Sequence, residues 1–228
     1  MQLSSQKTSR TVQISGICAI TDDALLPEQH FLPRVEQALA AGVAMLQYRS
    51  KQSERDVRLQ RARSLADLCE RYKVPLIIND DTELAQQAGA QGVHLGTEDG
   101  LIDEARAQLG NDAIIGATCH ADLSLALAAE QAGASYVAFG RFFPSHSKPE
   151  ASAAPLTLLT EAKRRLNIPV LAIGGINAEN GASVLQAGAD MLAVIHAVFG
   201  SEDVSGNTRA LCELANKTDF LKQVVNKL

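Results

Sequence analysis

Apolar residues in this chain fall into short, nearly unbroken runs, separated by longer stretches where they recur at helical spacing. One phrase repeats. Ala41-Gly42 leads into Val43 to Arg49, and Ala88-Gly89 into Ala90 to Gly96. Ala132-Gly133 leads into Ala134 to Gly140, and Ala187-Gly188 into Ala189 to His196. In each copy the glycine supplies a left-handed helix stop, and the run that follows reads as a strand. A second phrase, Val74-Pro75 before Leu76 to Asn79, is echoed by Ile168-Pro169 before Val170 to Ile173. Proline blocks a helix there and is tolerated where a strand begins. Ile14 to Ile20 and Ile114 to Thr118 complete eight predicted strands.

The intervening stretches predict helices over Phe31 to Ala41, Ser53 to Tyr72, Thr82 to Ala88 and Asp99 to Leu109. Further helices are predicted over Asp122 to Gln131, Pro155 to Leu166 and Ala178 to Ala187. An eighth starts near Asn207, behind a loop from Gly200 to Gly206. Short apolar strands alternating with helices imply parallel strands covered by helices. Eight such units leave no spare segment for a second domain. The expected fold is an α/β (β/α)8 TIM barrel, one catalytic domain over 13–228 behind a flexible polar tail, Met1 to Val12. An open doubly wound sheet calls for a glycine-rich fingerprint after the first strand, and Ala19-Ile20-Thr21-Asp22 is not one.

Composition narrows the function. The chain has 228 residues, 46% hydrophobic and 21% charged, with a formal net charge of -5. It carries no basic stripe of the kind nucleic-acid binding needs, and no apolar run long enough for a bilayer. The four cysteines, Cys18, Cys69, Cys119 and Cys212, form no CxxC pair. Cys69 shares a predicted helix face with Leu65, Leu68 and Tyr72 and reads as a buried thiol. With no signal-like segment in the tail, a reduced cytoplasmic protein is expected.

Polar residues gather at the carboxyl ends of the predicted strands, where this fold places its active site. The helix-to-strand turns at the other end are mostly Ala, Gly and Pro. Arg49, Lys51 and Lys148 supply cations, and Asp80 and Asp99 supply hard oxygen ligands. That set suits a pyrophosphate bound with Mg2+, which is commonly held by one or two carboxylates plus substrate phosphates. Gly174-Gly175 offers backbone N–H groups near the phosphate site common in such barrels, and Ser145 and Ser147 could complete it. Two phosphate sites imply two phosphorylated small-molecule substrates. Asp81 and Glu98 read as helix-start acids. His94 and His120 divide evenly between structure and function.

These motifs resemble the thiamine phosphate synthase family from about Gly16 to Phe199. They are Gln-Tyr-Arg-Ser-Lys at 47–51, Ile-Ile-Asn-Asp at 77–80, Gly-Val-His-Leu-Gly-x-Glu-Asp at 92–99 and Gly-Ala-Thr-Cys-His at 116–120. Phe-Gly-Arg-Phe-Phe-Pro-Ser-His-Ser-Lys at 139–148, Ala-Ile-Gly-Gly-Ile at 172–176 and Ala-Val-Ile at 193–195 follow in order.

The resemblance implies transfer of a pyrimidinylmethyl group from 4-amino-2-methyl-5-hydroxymethylpyrimidine diphosphate to a thiazole phosphate. Thiamine phosphate and pyrophosphate are the products, with CO2 when the thiazole carries a carboxylate. It assigns the pyrimidine diphosphate to Gln47, Tyr48, Arg49, Ser50, Lys51, Asn79, Thr118 and Lys148. Arg49, Lys51 and Lys148 would act in catalysis, and Asp80 and Asp99 would hold magnesium. Thiazole phosphate would meet Ser145, His146, Ser147, Gly175, Ile195 and His196. Thr118 stands where serine is common, Ser145 and Ser147 where threonine is, and Thr97 where glutamine is frequent. His196 replaces the usual serine.

A thiazole tautomerase-like barrel, or a sensor that binds thiazole phosphate, is the alternative. It would need neither the diphosphate cations nor both aspartates. A Schiff-base aldolase would want Lys51 or Lys148 in a desolvated pocket, not among polar residues. Oligomeric state is open, a homo-oligomer included.

Overall fold

The Ala-Gly phrases act as the sequence predicts. Gly89 ends its helix at φ 70°, its N–H bonded to the Ala85 and Gln86 carbonyls, and the next strand begins three residues on at Gly92. A computed structural model describes residues 14–51, 53–144 and 153–225. The tail Met1 to Val12 lies outside the described residues.

The strands are β1 (Gly16–Ile20), β2 (Met45–Tyr48), β3 (Leu76–Asn79), β4 (Gly92–Leu95), β5 (Ile114–Thr118), β6 (Tyr136–Gly140), β7 (Val170–Ile173) and β8 (Met191–Val194). They form a closed barrel in chain order, every neighbouring pair parallel, with β1 returning to β8 through Gly16↔Met191 and Ala19↔Val194. After a short 3-10 turn at Glu28–His30 come α1 (Phe31–Ala40), α2 (Arg55–Tyr72), α3 (Thr82–Ala88), α4 (Ile102–Leu109), α5 (Leu123–Gln131), α6 (Thr157–Arg165), α7 (Gly181–Ala187), α8 (His196–Phe199) and α9 (Val204–Val225). The (β/α)8 barrel is as predicted.

Helix starts differ in places. α8 is an extra turn directly after β8, and α9 begins at Val204 rather than near Asn207, where Asp203 accepts the Gly206 N–H at 2.8 Å. Asp99 belongs to the loop before α4, not to the helix.

The strands' two-residue alternation divides the core. Inward residues, among them Cys18, Ile20, Met45, Ile77, Ile114, Tyr136, Leu171 and Met191, fill the barrel lumen. Outward residues, such as Ile17, Leu46, Ile78, Val93, Val137, Phe139 and Leu192, pack under the helices. Burial pushes the thiols of Cys18, Cys69 and Cys119 up to about 12, the inert state expected of Cys69. α9 packs on α1, α7, α8 and β1, closing the helical layer between α7 and α1. Among the described residues, no helix is long and apolar enough to cross a membrane.

Candidate active site

The loop after β2 is held from β1. Thr21, fully buried, donates its hydroxyl to the Arg49 carbonyl at 3.0 Å and accepts the Arg49 N–H at 2.8 Å. Asp23 accepts the Lys51 N–H at 2.8 Å and the Ser50 hydroxyl at 3.1 Å, and lies 3.6 Å from the Arg61 guanidinium. Thr21 and Asp23 were not among the residues the sequence singled out. The available signal was a threonine and two acids directly after the first strand, at the active end.

Gln47 points into the barrel and donates to Asn79 Oδ1 at 2.7 Å, which fixes the Asn79 amide at the end of β3. Tyr48, one residue on, points the other way. It is buried among the helix-facing residues, its ring edge-on to Phe31 at 6.0 Å, so it is not among the side chains the barrel mouth brings together.

Asp80 and Asp99 meet across the ends of β3 and β4. Asp80 adopts a left-handed backbone, φ 66°, with its N–H on the His94 carbonyl at 2.8 Å. Asp99 accepts the Gly96 N–H at 2.9 Å. Burial, then hydrogen bonding and charge from Asp99, raise the Asp80 carboxyl to about 6, while Lys51 and Arg49 pull it back. Charged groups from two other loop positions thus act on the Asp80 carboxyl.

An open cleft of about 540 Å³ lies here, lined by Ser50, Lys51, Ser53, Arg58, Asn79, Asp80, Asp81, Thr82 and Asp99. The donor set suits a hard divalent cation. Two crowded carboxylates gain from a positive ion between them, and substrate or water oxygens would fill the remaining positions. Among the described residues no group of three or more His, Cys, Asp or Glu forms a denser metal site. Asp81 is structural, as read from the sequence: it caps α3 through the Leu84 N–H at 2.8 Å and pairs with Arg58 at 2.9 Å. Arg58 adds a cleft-lining cation that the sequence reading passed over.

Thr118 closes β5, its Oγ1 2.9 Å from His94 Nε2, while His94 Nδ1 lies 3.0 Å from the Tyr136 hydroxyl. Burial holds the His94 pKa down to about 4, so the ring is neutral near pH 7. His120 is exposed with φ 50°, and the cap of α5 is Asp122, which accepts the Ser124 N–H at 2.7 Å.

On the far side, Gly175 has φ 66°, and a side chain there would overlap the Pro144 and Phe143 carbonyls. A side chain at Gly174 would overlap Arg141, and the Phe143 N–H donates to the Gly174 carbonyl at 3.0 Å. The two glycines thus seat the loop after β6 against the loop after β7. Ile195 turns β8 into α8, and His196 begins that helix at the same end of the barrel. The His196 ring is exposed and lies against Gly200, where a Cβ would come within 2.6 Å of its Cδ2. Ser145, His146, Ser147 and Lys148 lie outside the described residues.

Residues 17–198 match the family described as thiamine monophosphate synthase. The chain belongs to that family. It is 52% identical over 191 residues to a thiamine-phosphate synthase of Nitrosococcus oceani, spanning 84% of this chain and 88% of that one. A thiamine-phosphate synthase of Saccharophagus degradans is 51% identical over 207 residues, covering 90% and 95% of the two chains. Among solved structures, thiamine phosphate pyrophosphorylase from Pyrococcus furiosus superposes with a TM-score of 0.82 at 34% identity, covering 91% of this chain and 98% of that one. Membership makes the chain an enzyme of thiamine biosynthesis, a thiamine-phosphate synthase of the transferase class, as its motifs implied.

Proposed function

We propose that the cleft binds hydroxymethylpyrimidine diphosphate and releases its pyrophosphate, leaving the pyrimidinylmethyl carbon open to attack by the nitrogen of a thiazole phosphate. The observation that carries this reading is a single cleft lined by Asp80, Asp99 and Lys51, with Arg49 two residues before Lys51 on the same loop. Two acids and two cations there match a diphosphate bound with a divalent ion better than they match a single monoester.

Arg49 and Lys51 would bind the diphosphate and stabilise the charge that grows on it as the carbon–oxygen bond breaks. Their loop is preorganised by Thr21 and Asp23, so little ordering remains to be done at the moment of reaction. Lys148, Ser50, Asn79 and Thr118 would add contacts to the same substrate, with Gln47 orienting Asn79. Asp80 and Asp99 would hold Mg2+, which supplies charge neutralisation at the departing pyrophosphate. No protein nucleophile is needed, because bond cleavage gives a pyrimidine-stabilised cation that the thiazole nitrogen captures. Ser145, His146, Ser147 and the backbone at Gly175, Ile195 and His196 would receive thiazole phosphate. A cytoplasmic site of action fits the buried free thiols.

Pyrophosphate release by the purified protein, with Mg2+ and each substrate omitted in turn, tests the reading. Release that requires metal and both substrates, with thiamine phosphate formed, is expected. Thiazole phosphate binding without release would replace this reading with a tautomerase-like or sensor role.

A further inference from the structure

Two members of one hydrogen-bond chain inside the barrel, His94 and Tyr136, have no task in the reaction described above. His94 is buried, and its ring stacks on Tyr136 with centroids 5.6 Å apart and planes 24° from parallel. Nδ1 lies 3.0 Å from the Tyr136 hydroxyl and Nε2 lies 2.9 Å from Thr118 Oγ1. Gly116, directly opposite His94 in the sheet, makes the room: a Cβ there would overlap the Tyr136 ring and crowd Nδ1. The ring is therefore fixed in place and orientation.

Both nitrogens of this buried ring meet hydroxyls and, among the described residues, no carboxylate, so it carries one N–H and one lone pair and its two hydrogen bonds must run in the same sense. The direction follows from the phenol. Tyr136 is fully buried, and among the described residues its hydroxyl has no partner besides Nδ1. A proton on Nδ1 would leave the phenol hydrogen buried with no acceptor, which is costly. Run the other way, Tyr136 donates to Nδ1, Nε2–H donates to Thr118 Oγ1, and every polar hydrogen of the pair is used. Thr118 then receives a hydrogen bond and must give its own elsewhere. Among the described residues nothing else accepts it, and Thr118 stands one inward position further along β5 than Gly116, toward the barrel mouth.

The geometry points to a directed relay, Tyr136 to His94 to Thr118, that fixes the Thr118 hydroxyl as a hydrogen-bond donor to the pyrimidine diphosphate substrate. The site thereby selects an acceptor atom at that point, a ring nitrogen or a diphosphate oxygen, and disfavours a donor. Tyr136 and His94 are positioning residues, and Thr118 is the one that touches substrate. The relay rests on the proposed placement of Thr118 at the pyrimidine site.

Imidazole 15N NMR of the full-length protein, paired with steady-state kinetics, tests it. The His94 ring is expected to carry its proton on Nε2. Thr118→Val should raise the KM for the pyrimidine diphosphate about tenfold, the upper end of one ordinary hydrogen bond. The KM for thiazole phosphate should stay unchanged, and Thr118→Ser should restore the wild-type value. Tyr136→Phe should raise the same KM severalfold, and adding it to Thr118→Val should change nothing more, because the relay has already lost its end.

A His94 ring protonated on Nδ1 would overturn the relay whatever the kinetics. So would a Tyr136→Phe effect that persists in full in the Thr118→Val background, which would mark a packing role. Thermal melts of the variants separate these outcomes from loss of fold. Failure of the underlying synthase reading would instead show in the wild-type protein, as absence of pyrophosphate release.

Discussion

The two ends of the barrel are built on opposite plans. At the amino end the same turn recurs, an alanine and a glycine closing a helix, as at Ala88-Gly89, and side chains tie one copy to its neighbour, such as Arg106 on the Gly133 carbonyl and Thr160 on the Ala187 carbonyl. At the carboxyl end the described loops differ in sequence, and those after β2 and β3 are held by side chains of the preceding unit: Thr21 on Arg49, Asp23 on Ser50 and Lys51, Gln47 on Asn79. Repetition suffices where only closure is required. Placement of charge needs loops that differ from one another, and it tolerates local strain such as the left-handed Asp80.

If that division holds, substitutions at the mouth should harm turnover more than stability, and those at the floor the reverse. Asp99→Ala is the severest test. Turnover should fall by at least about 100-fold, with the circular dichroism spectrum and thermal melt preserved; full activity would take Asp99 out of the site. Next comes Thr21→Val, which strips the Arg49 amide of its partner. Leaving that group unsatisfied costs about 1–3 kcal/mol, and kcat/KM for the pyrimidine diphosphate should drop about tenfold, while binding of thiazole phosphate, measured by calorimetry, stays the same.

Gly89→Ala is the floor's counterpart. No heavy atom stands within 4 Å of the added Cβ, so the penalty is the left-handed backbone alone, about 1–2 kcal/mol. Urea unfolding should register that loss while kcat/KM is unchanged; a matching fall in activity would mean the two ends are not independent.

The smallest effect is one of pH. Because burial and then Asp99 raise Asp80 to about 6 from 3.8, the metal-free folded chain binds this proton more tightly than the unfolded chain. Its stability should therefore be greatest below about pH 4 in this respect, and should fall as pH rises through 6. Asp99→Asn should shallow that fall in melts recorded across the window, and an unaltered slope would assign it to other groups.

The fold was legible because its punctuation is local. A glycine after alanine, or a proline before an apolar run, says where a strand begins without knowledge of anything distant. Boundaries were less legible where side chains have a second employment. The predicted helix opens at Asp99, yet that carboxylate folds back on Gly96 and the helix starts at Ile102.

The site was legible to the extent that strand ends are. The motif at 47–51 pointed to a loop that shares a cleft with Asp80 and Asp99, but strand alternation sends Tyr48 to the helix layer, and that parity could have been applied to the sequence. Thr21 and Asp23 were harder. Their partners lie 28 and 27 residues away, and a single sequence does not reveal such pairs. His94 could not be resolved by type, since only its burial and its two hydrogen bonds separate a fixed neutral ring from an acid or base.

The seating of Gly174 and Gly175 against Arg141 to Pro144 bears on how this enzyme can be altered. Arg141 to Pro144 and the Gly174-Gly175 turn form one fitted part. A library that randomises or lengthens one while holding the other constant will mostly sample misfit pairs. Variation in the two must be drawn together, around a pair of glycines kept as the hinge pin, before a new substrate can be fitted at that side of the mouth.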